Sequence, residues 1–129
     1  MKVALDTNVL AYAEGVNGIE KRDVVLELVR NLPQEAAVVP VQVLGELFNV
    51  LTRKAGRSRA EAREALLGWC DTFPAVETAP EAMLAAADLA ADHHLSIWDA
   101  VILSVSSQAG CRLLLSEDLQ DGFTWGGVT

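Results

Sequence analysis

The sequence predicts an α/β fold of three layers, a central parallel β-sheet with helices on both faces. Three observations predict it. Short apolar runs of strand length recur along the chain, and they show no polar–apolar alternation, as expected of strands buried on both faces. Stretches with helical spacing of apolar residues lie between them. Residues that cap or break helices mark the boundaries, among them Asp6, Pro33, Pro40, Ser58, Pro80 and Gly110. Strands alternating with helices in this way build a parallel sheet.

The first strand is Val3-Ala4-Leu5, stopped by Asp6. Asp6-Thr7-Asn8 opens a turn and a helix, since these residue types cap helix starts. Glycines at 15 and 18 interrupt the pattern, and helical spacing resumes from Glu20 to Leu32, with Val24, Val25, Leu28, Val29 and Leu32 on one side. Pro33 ends that helix. Ala36 to Val39 is a second strand, and Pro40 suits the first turn of the helix after it. That helix runs from Val41 to Ala55, with Val43, Leu44, Leu47, Phe48 and Leu51 as its apolar stripe. Ser58 and Glu61 have capping-box spacing before a helix that reaches about Thr72. Pro74 to Thr78 is a weak strand. Glu81 to His93 is an alanine-rich helix, and Ile97 to Gln108 is apolar nearly all round, the mark of a buried helix. Gly110 closes it. Cys111 to Leu115 is the last clear strand, and Phe123 to Gly127 is loop or a frayed edge strand where the sequence nears its end.

The chain of 129 residues has the length of one domain, spanning 1–129, and carries a net charge of −8. That sign excludes a protein that grips nucleic acid through its overall field; a phosphate partner must meet a local basic patch or bound cations. Cys70 and Cys111 are expected as reduced thiols, there being no secretory signal. No apolar run is long enough to span a membrane, and the expected location is the cytoplasm.

Four acids do not fit a solvated face. Asp6 and Asp118 each follow an apolar strand, Glu46 sits beside the apolar stripe of its helix, and Asp99 lies inside Ile97-Trp98-Asp99-Ala100-Val101-Ile102-Leu103. A lone carboxylate there would protonate or find a partner, and the segment 97–110 contains no basic residue. Taken singly, Glu46 reads as a helix flank, Asp118 as an Asp turn, and Asp6 or Asp99 as a helix N-cap. Taken together at one sheet edge, each close pair would repel by roughly 3 kcal/mol at ~5 Å and an effective dielectric of ~20. A cation relieves this, and oxygen-only ligands select Mg²⁺ or Mn²⁺. Such a site is typical of phosphodiester chemistry.

The residues Val3-Ala4-Leu5-Asp6-Thr7-Asn8, Val43-Leu44-Gly45-Glu46-Leu47, Ile97-Trp98-Asp99-Ala100-Val101-Ile102 and Leu114-Leu115-Ser116-Glu117-Asp118-Leu119, in this order, resemble the PIN-domain family and, within it, the VapC-like ribonuclease toxins of type II toxin–antitoxin pairs. The resemblance covers nearly the whole chain. It implies an acidic Mg²⁺/Mn²⁺ pocket in which Asp6, Glu46, Asp99 and Asp118 are the carboxylates and metal ligands, with Asn8 and Ser116 as supporting polar residues. Glu117 and Asp121 flank Asp118, and Asp118 is favoured by its place two residues after Ser116. It further implies a single-strand-specific endoribonuclease, a homodimer, and a small antitoxin protein that covers the pocket.

The basic residues are gathered rather than scattered: Arg53, Lys54, Arg57, Arg59 and Arg63 are half of the chain's ten. They read either as a solvated helix tip or as a phosphate-contacting rim beside the pocket. The acidic surface favours a structured or single-stranded site in a transfer or ribosomal RNA over bulk RNA. Two rival readings stand beside this one. A haloacid-dehalogenase-like phosphatase needs an Asp where Asn8 stands and a lysine later than Lys54. A degenerate domain, kept to bind RNA or protein, is expected to have lost one of the four acids.

Overall fold

Short apolar runs become strands, and a pair of helices separates each strand from the next. The computed structural model describes residues 2–32, 36–115 and 128. The strands are β1 (Val3–Leu5), β2 (Ala37–Pro40), β3 (Ala75–Val76) and β4 (Leu113–Leu115). The helices are α1 (Thr7–Ala13), α2 (Ile19–Arg30), α3 (Val41–Arg53), α4 (Arg59–Thr72), α5 (Pro80–His93) and α6 (Ile97–Gln108). The four strands lie in the order β3-β2-β1-β4 and every neighbouring pair is parallel. Val3 sits opposite Ala37 on one side and Leu113 on the other, which makes β1 an interior strand. All residues of β1 and β2 are buried, as their unbroken apolar sequence requires.

The chain steps from β1 to β2 to β3 in one direction and then returns past both to β4. With right-handed crossovers, α1 to α4 cover one face and α5 and α6 the other. The order of strands reverses beside β1. In open α/β sheets the crevice outside the carboxyl ends of the strands at this reversal is where ligands bind.

The core runs through both layers. Leu5, Leu10, Val43, Leu47, Leu51, Leu89, Val101, Ile102, Leu103 and Val105 are all essentially inaccessible, and so is Val128 in its isolated β-bridge. Ser104 and Ser106 are buried within α6, but their hydroxyls donate to the Ala82 and Ile102 carbonyls at 2.8 and 2.6 Å. The first of these bonds ties α6 to α5. Trp69 stacks on Phe73 with ring centroids 6.3 Å apart, while Trp98 is exposed. Trp125 lies outside the described residues.

Gly15 and Gly110 end α1 and α6 in the same way. Each adopts positive φ, 96° and 80°, a conformation that suits residues without a Cβ. The Gly15 and Val16 amides donate back to Tyr12 and Ala11, and the Gly110 and Cys111 amides to Ser107 and Ser106, all at 2.9–3.0 Å. Ser58 and Glu61 form the expected capping box. Those bonds from the Ser58 backbone and hydroxyl, with help from Arg57, hold the Glu61 carboxyl below its ordinary range. Both cysteines are free; burial pushes the Cys111 thiol up, while the Lys2 charge opposes that.

Two elements differ from expectation. The weak strand at 74–78 shrinks to the two residues of β3. In α2 the expected apolar stripe is only partly covered: Val29 is buried, but Val24 is 70% and Leu28 44% exposed. No helix among the described residues is long and apolar enough to cross a membrane.

Candidate active site

Asp6 ends β1 and caps α1. Its backbone is extended, and its carboxylate accepts the Thr7 amide at 2.6 Å, although the residue is only 2% exposed. The capping role weighed from sequence is therefore real, and it occupies a buried carboxylate at the sheet edge. Thr7 then turns its hydroxyl the other way. Its Oγ1 donates to Glu46 Oε2 at 2.5 Å, joining residues 39 apart in sequence. Glu46 can receive this bond because α3 starts directly after β2, and β1 and β2 are parallel neighbours. Both helices leave the sheet from the same edge. Glu46 falls in the second turn of its helix, half-buried.

Asn8 is the third residue of this turn. Its Oδ1 and Nδ2 are both buried and neither has a hydrogen-bond partner among the described residues. Buried amide groups are almost always paired, because leaving one unpaired costs about 1–3 kcal/mol. An unpaired amide beside two carboxylates is the kind of group that a bound ion, water or ligand satisfies.

Asp99 reaches the same edge from the other face of the sheet. The far end of α6 lies beside the start of β1, where Lys2 Nζ donates to the Ala109 carbonyl at 3.0 Å and the Arg112 amide donates to the Lys2 carbonyl at 2.9 Å. Twelve helical residues rising about 1.5 Å each span about 18 Å, longer than the about 10 Å of a three-residue strand. The first turn of α6, with Asp99, therefore lies at the carboxyl edge. α6 also touches α3. The N-cap of α6 is Ser96, whose hydroxyl accepts the Asp99 amide at 3.1 Å, so Asp99 is a first-turn acid rather than the cap.

The turn, α1 and α3 line an open cavity of about 440 Å³. Thr7, Asn8 and Glu46 line it, and so do Tyr12, Asn49 and Lys54. The five basic candidates separate here. Lys54 faces the cavity, while Arg53, Arg59 and Arg63 are exposed. Arg57 is instead held by Glu14: its Nη1 contacts Glu14 Oε1 at 2.6 Å and its Nη2 donates to the Glu14 carbonyl at 2.5 Å.

The structure thus brings Asp6, Thr7, Asn8 and Glu46 together and sets Asp99 at the same edge. Asp118 and Ser116 lie outside the described residues, as do Glu117 and Asp121. Among the described residues no three His, Cys, Asp or Glu side chains are grouped closely enough to hold a metal ion. His93 and His94 are exposed at the end of α5. The sequence reading missed Thr7 as a link to Glu46, and it missed Tyr12, Asn17 and Asn49 as cavity residues. For Asn49 a signal existed, since it follows Glu46 by one helical turn.

The PIN domain family profile matches residues 3–121. No curated protein sequence matches the chain. Among solved structures, the chain is similar to the sarcin–ricin-loop-cleaving toxin VapC20 of Mycobacterium tuberculosis, with 19% identity over 91% of this chain and 92% of that one and a TM-score of 0.76. It is similar also to a toxin–antitoxin complex from Klebsiella pneumoniae, with 19% identity over 99% and 96% of the two chains and a TM-score of 0.70. FitAcB of Neisseria gonorrhoeae aligns with 16% identity over 90% and 87% and a TM-score of 0.69. At these identities the likeness is one of fold. With its own family profile spanning nearly the whole sequence, the chain belongs to the PIN domain family.

Proposed function

We propose that this chain, as one nuclease domain over 1–129, is a Mg²⁺- or Mn²⁺-dependent endoribonuclease and the cytoplasmic toxin of a toxin–antitoxin pair. The observation that carries the reading is the junction of Asp6, Thr7, Asn8 and Glu46 at the carboxyl edge of the sheet, where the chain order reverses. Its donors are carboxylate and amide oxygens, and the unpaired Asn8 amide fits a hard cation or a water beside one. Asp6, Glu46, Asp99 and Asp118 are the proposed ligands, with Asn8 and Ser116 supporting them. When bound, such an ion supplies charge neutralisation at a phosphodiester and acidifies a water.

The protein's own residues supply position. The Asp6 cap holds one carboxylate at the start of α1, and Thr7 fixes the orientation of Glu46. Lys54, with Arg53, Arg59 and Arg63 beyond it, supplies cations for an RNA backbone that the net charge would otherwise repel. The named activity of VapC20 supports a structured RNA as the substrate, and the toxin–antitoxin complexes among the similar structures support a small protein partner. Exposed Val24 and Leu28 on α2, and Leu84 and Trp98 on the opposite side of the sheet, offer apolar surface for an antitoxin and for a homodimer.

A second reading, an RNA- or protein-binding domain without cleavage, is favoured by one observation: among the described residues no three candidate ligands form a metal-holding group. Purified protein, free of any partner, incubated with cellular RNAs and Mg²⁺ or Mn²⁺ separates the two. Cutting that needs the metal and vanishes in Asp6→Asn and Asp99→Asn is expected. A folded wild type that leaves every RNA intact would assign the binding role.

A further inference from the structure

We propose that the cavity between α1 and α3 is a base-reading subsite, which takes one unstacked nucleobase of the RNA strand beside the cleaved phosphodiester; this rests on the ribonuclease reading above. The cavity shares Thr7, Asn8 and Glu46 with the acidic junction, so an occupant is a direct neighbour of the chemistry. At about 440 Å³ it lies within the ~300–1,000 Å³ of small-molecule sites, and it suits one nucleotide rather than a length of duplex.

Its polar lining has the character of a base reader. Three carboxamides line it: Asn8, buried with no hydrogen-bond partner among the described residues, and the exposed Asn17 and Asn49. A carboxamide presents one donor and one acceptor in a plane, the pattern that matches the edge of a base and favours adenine N6 and N7. Asn17 adopts the left-handed region at φ 67° just after α1, where the chain turns beside the cavity it helps to line. Lys54 is the one lysine or arginine among the lining residues, enough for a single phosphate.

Tyr12 adds an aromatic wall. Lys21 lies over its ring at 4.6 Å, and Lys21 belongs to a neighbouring cavity on α2 rather than to this one. The charge pattern argues against an acidic peptide, because Glu46 shares the pocket with Lys54. Sequence-specific readers of RNA take unstacked bases in this way, by their edges and against aromatic side chains.

Random single-stranded RNA tests this with two readouts. The first is the set of sites cut by wild type in Mg²⁺. The second is the set of sequences retained by the Asp99→Asn protein, which reports binding without cleavage. Both are expected to show a preference for one base at one position. Asn49→Ala combined with Asn17→Gly, which keeps the backbone of residue 17 relaxed, is expected to erase that preference. The loss at the favoured base should be roughly five- to 150-fold, the range of a good bidentate base contact, with other sequences little changed. A retained-sequence profile without base preference, or one unaltered in a double variant of native circular dichroism, overturns the subsite. Selective capture of short peptides in place of RNA would also overturn it, and would give the cavity to a protein partner. Absence of metal-dependent cutting would instead count against the nuclease reading, and the binding profile would still decide the subsite.

Discussion

Thr7 does the work of two residues at the acidic junction. Its amide donates to Asp6 and its hydroxyl to Glu46, so one residue links the carboxylate that caps α1 to a carboxylate within α3. Thr7→Val keeps the branched shape of this buried side chain and deletes only the donor. Glu46 then loses a bond worth roughly 1–1.5 kcal/mol, and kcat/KM for RNA is expected to fall about tenfold while the melting temperature changes little. The discriminating readout is Thr7→Ser, which restores the hydroxyl and should restore most of the rate. A role in packing alone would give the opposite order, with the valine variant the better enzyme.

At the scale of elements, the helices and strands could be read from sequence where the signal is local. The apolar runs of β1, β2 and β4, the capping box at Ser58 and the glycine at 110 all act within a few residues of themselves. What could not be read is what joins distant elements. Arg57 stands in the basic cluster, and only the fold shows that its guanidinium is taken by Glu14, 43 residues earlier. The cavity was hidden for the same reason, since its wall combines the end of α1 with one face of α3. The exposed part of the α2 stripe was misjudged because periodicity shows that a face is apolar but not whether this chain covers it.

Two predictions belong to these elements. Arg57→Lys keeps the charge but cannot bond both the carboxylate and the carbonyl of Glu14 in one fork. Denaturant unfolding should show a loss of about 1–2 kcal/mol, reduced from a buried pair because both side chains are partly solvated. Glu61 makes a pH-dependent contribution at the start of α4. Ser58 lowers its folded pKa, so the stabilisation is present above the ordinary carboxylate range and is lost as pH falls through the folded value. Glu61→Gln should therefore lower the melting temperature slightly at neutral pH and flatten the acid side of the profile, the two curves converging at low pH.

For the whole molecule the governing quantity is charge. A chain of net charge −8 that joins Asp6 and Glu46 through Thr7 at one sheet edge, with Asp99 at the same edge, presents a negative potential that attracts a divalent cation. Binding to the folded state alone raises stability by about 2.7 kcal/mol when the ion is at 100 times its dissociation constant. For a domain of this length that is roughly 8–10 °C in melting temperature. Wild type should show this rise with Mg²⁺ or Mn²⁺ at constant ionic strength, and a chelator should reverse it. Asp6→Asn retains a side chain able to cap α1 and removes one charge, so its metal-free melting temperature should equal or exceed that of wild type. Its rise with metal should be largely lost. A domain that only binds RNA or protein has no need of the ion, and equal melting curves with and without metal for the wild type would place this chain there.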